Sequence, residues 1–248
     1  MCTLIVAWRA FEEAPVCVAA NRDELFERPA SPPSVRGSDP QVLAPRDDRV
    51  GGTWLGYNAE GVLAAVTNRW APGEGERSRG LLVADALEER TAAAAIERVE
   101  AELEAREYAP FHLVVADASD CRLLESGGGE ELDGHRVRAL SPGVHVVVNV
   151  GADGEWFVPT NRPDAGRRQA DNAERLVAAL EPRDDETAAD WTRRAGEALG
   201  DHEFGVCIHG DGFGTRSSSL VRLGTERVFE FADGPPCETA HERVEDRV

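Results

Sequence analysis

The order of strand-like and helix-like segments constrains the fold of this 248-residue chain more than any other feature. Apolar runs rich in β-branched residues and bounded by Gly or Pro predict strands in three blocks, with helical regions between them. The predicted strands cover residues 3–8, 16–20, 53–57, 62–67, 111–117, 122–125, 136–140, 144–150, 203–209, 217–223 and 227–231, with turns at 29–33 and 127–129.

Both helical regions are predicted to be helix pairs. Thr91 offers a break or cap within the first region, residues 79–107, which is rich in alanine. In the later pair the apolar faces lie at 173–180 and 191–199, and Thr187 begins a capping-box pattern. Because strands and helices arrive in blocks, the order β, αα, β, αα, β predicts an α+β fold of antiparallel sheets with helices layered outside. It argues against a doubly wound parallel sheet.

Length and composition predict one domain over residues 1–248, with a polar tail from about residue 233 that we expect to be mobile. The start lacks a signal-peptide pattern, and no segment approaches the roughly 20 apolar residues of a membrane helix. We therefore expect a cytoplasmic protein without a membrane span. The sequence leaves its oligomeric state open. Scattered cysteines without a CxxC pair predict reduced thiols at Cys2, Cys17, Cys121, Cys207 and Cys237.

The charge of the chain is strongly acidic. Asp and Glu total 46 against 27 basic residues, all of them Arg, and the formal net charge is −19. Such a surface repels phosphate, so we expect no nucleic-acid partner. Concentrated salt screens the self-repulsion of this surface, which favours a halophilic type of protein. A GC-rich genome is the alternative explanation for the missing lysine, although it accounts less well for the acidic excess.

Cys2 is the candidate nucleophile. Removal of Met1 would place a thiol and a free α-amine on one residue, and an α-amine with an ordinary pKa of about 7.7 to 8.0 can take the thiol proton. The apolar run that follows would make Cys2 the first residue of a buried strand. The alternative is that Cys2 is a small hydrophobic side chain packed in that strand.

Polar residues end the second predicted strand. If residues 3–8 pair with 16–20 in a hairpin that turns near residues 12–15, Asn21, Arg22 and Asp23 return beside Cys2. A carboxylate in that position could hold the α-amine. A solvated turn or a structural Arg–Asp pair is the alternative.

Several motifs in the same order resemble one family. They are MCTLIV from Met1, ANRDE from Ala20, RPA from Arg28, LAPRD from Leu43, GGTWLG from Gly51, the segment 61–68 and GTRSSS from Gly214. In these motifs the chain resembles the NRDE family, to which the transport and Golgi organisation 2 proteins belong. The resemblance implies a four-layer αββα sandwich of two antiparallel sheets, the fold of N-terminal nucleophile hydrolases, and agrees with the block order.

The resemblance also implies roles for single residues, because bile salt hydrolases and penicillin V acylases are similar cysteine hydrolases of that fold. Cys2 and Asp23 match the nucleophile and the carboxylate that steadies its amine, and Asn149 and Asn68 match asparagines that bind the oxyanion. Arg216 matches a C-terminal active-site arginine. Asn21, Arg22 and Trp54 are candidate substrate-binding residues. A turn, a structural ion pair or core packing is the alternative for the asparagines, Arg216 and Trp54 respectively.

One position departs from the pattern, since Ala20 stands where those hydrolases have Arg. We expect Arg22 to face the other side of the strand, which would leave the thiolate without that charge. The function that the resemblance implies is an N-terminal cysteine amidohydrolase or acyl-transfer enzyme acting on a small molecule. The alternative is a non-catalytic carrier of a small hydrophobic ligand, such as haem or an acyl group.

The sequence gives no support for a bound metal or cofactor. The six histidines show no HExxH or similar ligand spacing, so we predict neither a metal site nor a cofactor. The glycine-rich segments 51–56 and 210–214 lead into strand-like sequence rather than a helix, which excludes a dinucleotide-binding fingerprint.

Overall fold

A computed structural model describes residues 2–127 and 132–248, and the chain divides into two compact units. The first unit combines the residues up to Glu27 with Ser141–Val244, and the second combines Arg28–Leu140 with Glu245–Val248. The strands are β1 Thr3–Trp8, β2 Val16–Leu25, β3 Ala30–Arg36, β4 Val42–Asp47, β5 Leu55–Asn58, β6 Leu63–Asn68, β7 Phe111–Ala116, β8 Cys121–Ser126, β9 His135–Ala139, β10 Gly143–Val148, β11 Gly151–Ala152, β12 Glu155–Trp156, β13 Phe213–Leu223, β14 Val228–Ala232 and β15 Glu242–Arg243. The helices are α1 Arg79–Ala86, α2 Ala92–Ala105, α3 Pro163–Leu180 and α4 Ala188–Gly200.

The first unit is built on an antiparallel sheet in the order β12-β11-β10-β1-β2-β13-β14-β15. Its central strand β1 is buried along its whole length, which explains the apolar run from Leu4 to Trp8. β1 lies between β2 and β10, with Thr3 opposite both Asn21 and Val148. The N-terminal end of β1 therefore meets the end of β10 and the later part of β2.

Helices α3 and α4 pack against this sheet, α3 on β10 and α4 on β2 and β13. The Thr187 hydroxyl accepts a hydrogen bond from the Asp190 backbone N–H, so the predicted N-cap of α4 is confirmed. The fully buried Trp191 contacts the Phe11 ring at a centroid distance of 5.9 Å and donates from its indole nitrogen to the Leu180 carbonyl at 2.8 Å. These contacts tie α3 and α4 to each other and to the connection between β1 and β2.

The second unit contains an antiparallel sheet in the order β3-β4-β5-β6-β7-β8-β9 together with α1 and α2. Thr91 caps α2, accepting from the Ala94 backbone N–H, as the sequence predicts. The core of the second unit is formed by apolar residues of both helices and of the sheet, among them Leu82, Val83, Ile96, Val99, Phe111, Leu113 and Leu124.

The α+β class, the antiparallel sheets and both helix pairs are confirmed, but two local predictions are wrong. Residues 30–33 belong to strand β3 rather than to a turn. A β-bulge between Ser31 and Ser34 lets this edge strand contain two prolines. Residues 203–209 are not a strand, because a short 3₁₀ turn at His202–Phe204 is followed by Gly205 in a left-handed conformation (φ 63°).

Other features extend the prediction. β2 continues five residues beyond the predicted end at Ala20, and the short strands β11 and β12 follow β10. The C-terminal tail includes β15, which pairs with β14, while the predicted mobility of the tail and the single domain stay predictions. Of the proposed turn at 127–129, residues 128 and 129 lie outside the described residues. No helix within the described ranges combines the length and apolar character needed to cross a bilayer.

Candidate active site at the start of β1

Cys2 lies between two neighbouring strands at the N-terminal end of β1. Its backbone nitrogen donates to Asn149 Oδ1 at 3.2 Å, and its thiol lies 3.8 Å from the Asp23 backbone carbonyl, in a residue that is half-buried as a whole. Asn149 follows β10, whose last residue pairs with Thr3, so the strand register brings the two residues together. The Asn149 contact therefore holds the nitrogen of Cys2, while its sulfur lies beside the backbone of β2.

Gln169 supports Asn149 from helix α3. Its side-chain nitrogen donates to Asn149 Oδ1 at 3.0 Å, and the residue is only 2 % exposed. Asn149 Oδ1 thus accepts from both Cys2 and Gln169, which fixes the orientation of this amide. The sequence prediction missed Gln169, although a polar residue one helical turn before Ala173 on the buried face of α3 is a visible signal.

The side chain of Asp23 is buried, with 5 % exposed. Its Oδ1 accepts a hydrogen bond from the Thr215 hydroxyl at 2.6 Å, and that hydroxyl accepts from the Ile208 backbone N–H at 2.8 Å. Burial raises the pKa of Asp23 above its ordinary value, and the Thr215 hydrogen bond acts in the opposite direction. Thr215 was missed as a site residue, although it stands in the GTRSSS motif beside the chosen Arg216.

The buried Arg22 places a positive charge near Cys2. The expectation that Arg22 faces away from position 20 is wrong, because the two residues lie two apart on the continuous strand β2 and so share a face. Burial raises the pKa of the Cys2 thiol, and the positive charge of Arg22 lowers it in part. Arg22 also lies 3.9 Å from the carboxylate of Glu24.

Asn21 and Arg216 make contacts with the backbone. The Asn21 amide donates to the carbonyls of Leu199 and Val206, both at 3.0 Å, and thereby ties β2 to the end of α4 and the segment after it. Arg216 lies at a β-bulge in β13 and donates to the Phe26 carbonyl at 2.5 Å. Their roles in substrate binding and catalysis stay predictions.

The remaining candidates, Asn68 and Trp54, belong to the second unit. Asn68 ends β6 opposite Phe111, and Trp54 precedes β5, where its carbonyl accepts from the Val66 backbone N–H at 2.9 Å. Their functional roles also stay predictions.

The family model described as Transport and Golgi organisation 2 matches residues 1–233. The chain belongs to this family. A Transport and Golgi organization protein 2 homolog of Bos taurus is 35 % identical over 242 residues, covering 87 % of this chain and 84 % of that protein. The homolog of Homo sapiens is 27 % identical over 242 residues, with the same coverage.

Solved structures show which fold this Transport and Golgi organisation 2 family member has. The penicillin V acylase of Agrobacterium tumefaciens has a TM-score of 0.52 and 15 % identity, with 93 % of this chain and 82 % of that chain covered. An N-acylethanolamine-hydrolyzing acid amidase ortholog of Caenorhabditis elegans has a TM-score of 0.52 and 14 % identity, with 88 % and 91 % covered. These likenesses confirm an N-terminal nucleophile hydrolase-like fold, and at such identities they show the fold alone.

A separate group of side chains in the first unit has the chemistry of metal ligands. It consists of His202, Cys207, His209 and Cys237, and one potential ligand atom from each lies within 4.8 Å of all the others. The sequence gave no support for a metal because His202, Cys207 and His209 show no familiar ligand spacing, and the fourth residue, Cys237, lies far along the chain. The prediction that the chain has no metal site is untested, and this cluster is the place where it can be tested.

Proposed function

We propose that this family member is an N-terminal cysteine amidohydrolase or acyl-transfer enzyme acting on a C–N or ester bond of a small molecule. The observation that carries the proposal is that Asn149 holds the nitrogen of Cys2, and the same residue carries a free thiol 3.8 Å from the backbone carbonyl of Asp23. Removal of Met1, which lies outside the described residues, would turn that nitrogen into an α-amine. Cys2 would then supply both nucleophile and base.

In the proposed reaction the α-amine of Cys2 takes the thiol proton, and the sulfur attacks the carbonyl carbon of the substrate. The tetrahedral adduct collapses as the C–N or C–O bond breaks, and the ammonium returns the proton to the leaving nitrogen or oxygen. Water, or an acceptor alcohol or amine in acyl transfer, then attacks the thioester and loses a proton to the α-amine. The sulfur leaves with that proton, which restores the thiol.

Asn149 would serve this reaction through both ends of its amide. Its oxygen accepts from the Cys2 nitrogen and from Gln169, so the Nδ2 group is the end that can donate to an oxyanion. Removing one donor of this kind costs about 2.7–4 kcal/mol of transition-state stabilisation in a well-studied hydrolase. The Gln169 contact matters for this role because it fixes which end of the amide faces Cys2.

Asp23 and Arg22 would set the charge around Cys2. The Asp23 carboxylate, held by Thr215, would stabilise the ammonium form of the α-amine once the thiol proton has been transferred. Arg22 would favour the thiolate, the task that an arginine at the position of Ala20 performs in the similar hydrolases. A positive charge on the same face of β2 would thus compensate for the alanine.

Peptide mapping tests maturation and reactivity together. The purified protein is treated with a p-nitrophenyl acyl ester and cleaved after arginine. Because Arg9 is the first arginine, the N-terminal peptide spans residues 2–9 if Met1 has been removed. We expect this peptide to lack Met1 and to carry the acyl group on Cys2, and we expect release of p-nitrophenol in a burst.

Cys2→Ala is the matched variant, and it should lose both the burst and the label on that peptide. Cys2→Ser replaces the thiol with a hydroxyl of similar size, and so separates the loss of nucleophilicity from the loss of shape. Retention of Met1 on all of the protein would refute the proposed mechanism. So would acylation that persists at an unchanged rate in Cys2→Ala.

One observation favours a carrier as the second candidate function. Burial raises the pKa of the Cys2 thiol, which keeps it protonated and poorly reactive until another group removes the proton. A carrier would bind hemin or a fluorescent fatty acid saturably, and the affinity would be the same in Cys2→Ala. Saturable binding without acylation of residue 2 would select this alternative.

A further inference from the structure

Four side chains that the proposed reaction does not use converge in the first unit. The buried Cys207 and the exposed His202, His209 and Cys237 each direct one potential ligand atom to a common point, and these atoms all lie within 4.8 Å of one another. We propose that the four residues bind one Zn²⁺ in a tetrahedral Cys₂His₂ site.

The spacing of the ligand atoms fits this geometry. Tetrahedral bonds of about 2.3 Å to sulfur and about 2.0–2.1 Å to nitrogen place neighbouring ligand atoms about 3.3–3.8 Å apart. The two cysteine sulfurs are 3.4 Å apart, and His209 Nε2 lies 3.1 Å from the Cys237 sulfur and 3.6 Å from the Cys207 sulfur. The rings of His202 and His209 lie beside each other with centroids 5.3 Å apart. Only small side-chain shifts are needed to centre an ion.

The donor set selects the class of metal. Two thiolates with two imidazoles in a tetrahedral arrangement suit Zn²⁺, whereas Mg²⁺ and Ca²⁺ prefer oxygen ligands. Both cysteines bind as thiolates, so binding releases two protons to solvent and leaves the ion and its ligands without net charge. With three exposed residues, the site is open to solvent for metal entry. Because protein ligands fill all four coordination positions, none is left for water or substrate, which is typical of a structural rather than a catalytic zinc site.

A disulfide is the competing use of the two cysteines. Their sulfurs lie 3.4 Å apart, far beyond a disulfide bond of about 2.03–2.05 Å, and both residues are free cysteines in the structure. A disulfide would also leave the convergence of the two histidines unexplained. The complete set of four ligands is what favours the metal.

The position of the cluster gives the metal a structural task. Cys207 lies between Val206, whose carbonyl accepts from Asn21, and Ile208, whose backbone N–H donates to the Thr215 hydroxyl that holds Asp23. Metal binding would hold this segment in place and link it to the C-terminal segment through Cys237. The ion would therefore stabilise the support of Asp23 without contacting the reacting atoms.

The experiment titrates Co²⁺ and Zn²⁺ into the reduced full-length protein after treatment with a chelator. Tetrahedral Co²⁺ with thiolate ligands gives intense visible bands and a sulfur-to-metal charge-transfer band. We expect saturation at one Co²⁺ per chain, displacement by Zn²⁺ and a melting temperature that rises with bound Zn²⁺. Elemental analysis of protein purified without chelator should find zinc.

Cys237→Ser tests the site, because the exposed cysteine can be changed without disturbing the core. It should lose the charge-transfer band or bind Co²⁺ much more weakly, and chelators should no longer lower its melting temperature. His202→Gln is a second exposed variant with the same expectation. Cys2→Ala and His135→Gln are controls that should bind as the unchanged protein does, so this test is independent of the proposed reaction.

Three results would overturn the proposal. The reduced protein could give no thiolate–Co²⁺ band, or Cys237→Ser could retain the band at full strength. The third is a cross-linked peptide pair containing Cys207 and Cys237 in protein that holds no zinc, which would assign the cysteines to a disulfide.

Discussion

Replacing Thr215 with Val tests the support of Asp23, because valine keeps the shape of the side chain and removes only the hydroxyl. The change removes a 2.6 Å hydrogen bond to a carboxyl group that is 5 % exposed, and it leaves the Ile208 backbone N–H without its acceptor. A hydrogen bond to a charged group contributes about 1.5–3 kcal/mol, and an unsatisfied buried donor costs about 1–3 kcal/mol. Because the Ile208 group is only partly buried, we expect Thr215→Val to lower the free energy of unfolding by about 2–4 kcal/mol.

The loss should also depend on pH. Burial raises the pKa of Asp23, and loss of the Thr215 hydrogen bond removes an effect that lowers it, so the pKa rises further in the variant. A carboxyl group whose pKa is higher in the folded state than in the unfolded state binds more protons when folded. Stability then falls as pH rises above the unfolded pKa of about 3.9. The deficit of Thr215→Val should therefore be larger at pH 8 than at pH 4.

Urea unfolding at constant salt measures both effects, and Thr215→Ser is the control because it keeps the hydroxyl and loses only a methyl group. Thermal unfolding gives a second measurement, in which we expect Thr215→Val to lower the melting temperature by about 4–16 °C in a chain of this size. Equal stabilities of the Val and Ser variants would show that the hydroxyl does not support Asp23. A deficit that is the same at both pH values would contradict the electrostatic part of the reasoning.

Three further changes test other contacts. Gln169→Met removes a hydrogen bond to Asn149, but it also removes a buried side-chain oxygen that has no partner, and these two effects oppose each other. The free energy of unfolding in urea should therefore change by less than about 1 kcal/mol, while acylation of Cys2 slows. Arg22→Gln should raise the pKa of the Cys2 thiol, measured by the pH dependence of its alkylation rate, whereas Arg22→Lys should keep much of the effect. Burial lowers the pKa of His241 to about 4, so the free energy of unfolding should decrease as pH falls from about 6.5 towards 4. His241→Gln should flatten that part of the pH profile of stability. An unchanged profile would contradict the assignment to His241.

Local patterns predicted the hairpin that places the candidate nucleophile. The apolar runs fixed its two strands, and pairing them brought Asn21 and Asp23 to the level of Cys2, as the register shows. The caps at Thr91 and Thr187 were predictable for the same reason, since a cap depends on neighbours within one turn. The side of the strand occupied by Arg22 was also available from simple alternation and was assigned wrongly.

Contacts between distant segments were beyond such patterns. Gln169 was visible as a polar residue on a buried helical face, but its partner depends on how α3 lies on β10. The four residues of the metal cluster meet only because the 3₁₀ turn at His202–Phe204, the following segment and the C-terminal tail fold together. The incorrect prediction of a strand at 203–209 is one reason why the cluster was missed, since an extended segment would not contain the turn that positions His202.

The central place of β1 has a consequence for the proposed removal of Met1. Its partner β10 ends at residue 148, so the first strand cannot be enclosed on both sides until more than half of the chain has left the ribosome. At about 5–20 residues per second, the leading end stays uncovered for on the order of ten seconds during synthesis. The aminopeptidase that the proposed function requires could remove Met1 in that interval, before β2 and β10 enclose the start of β1.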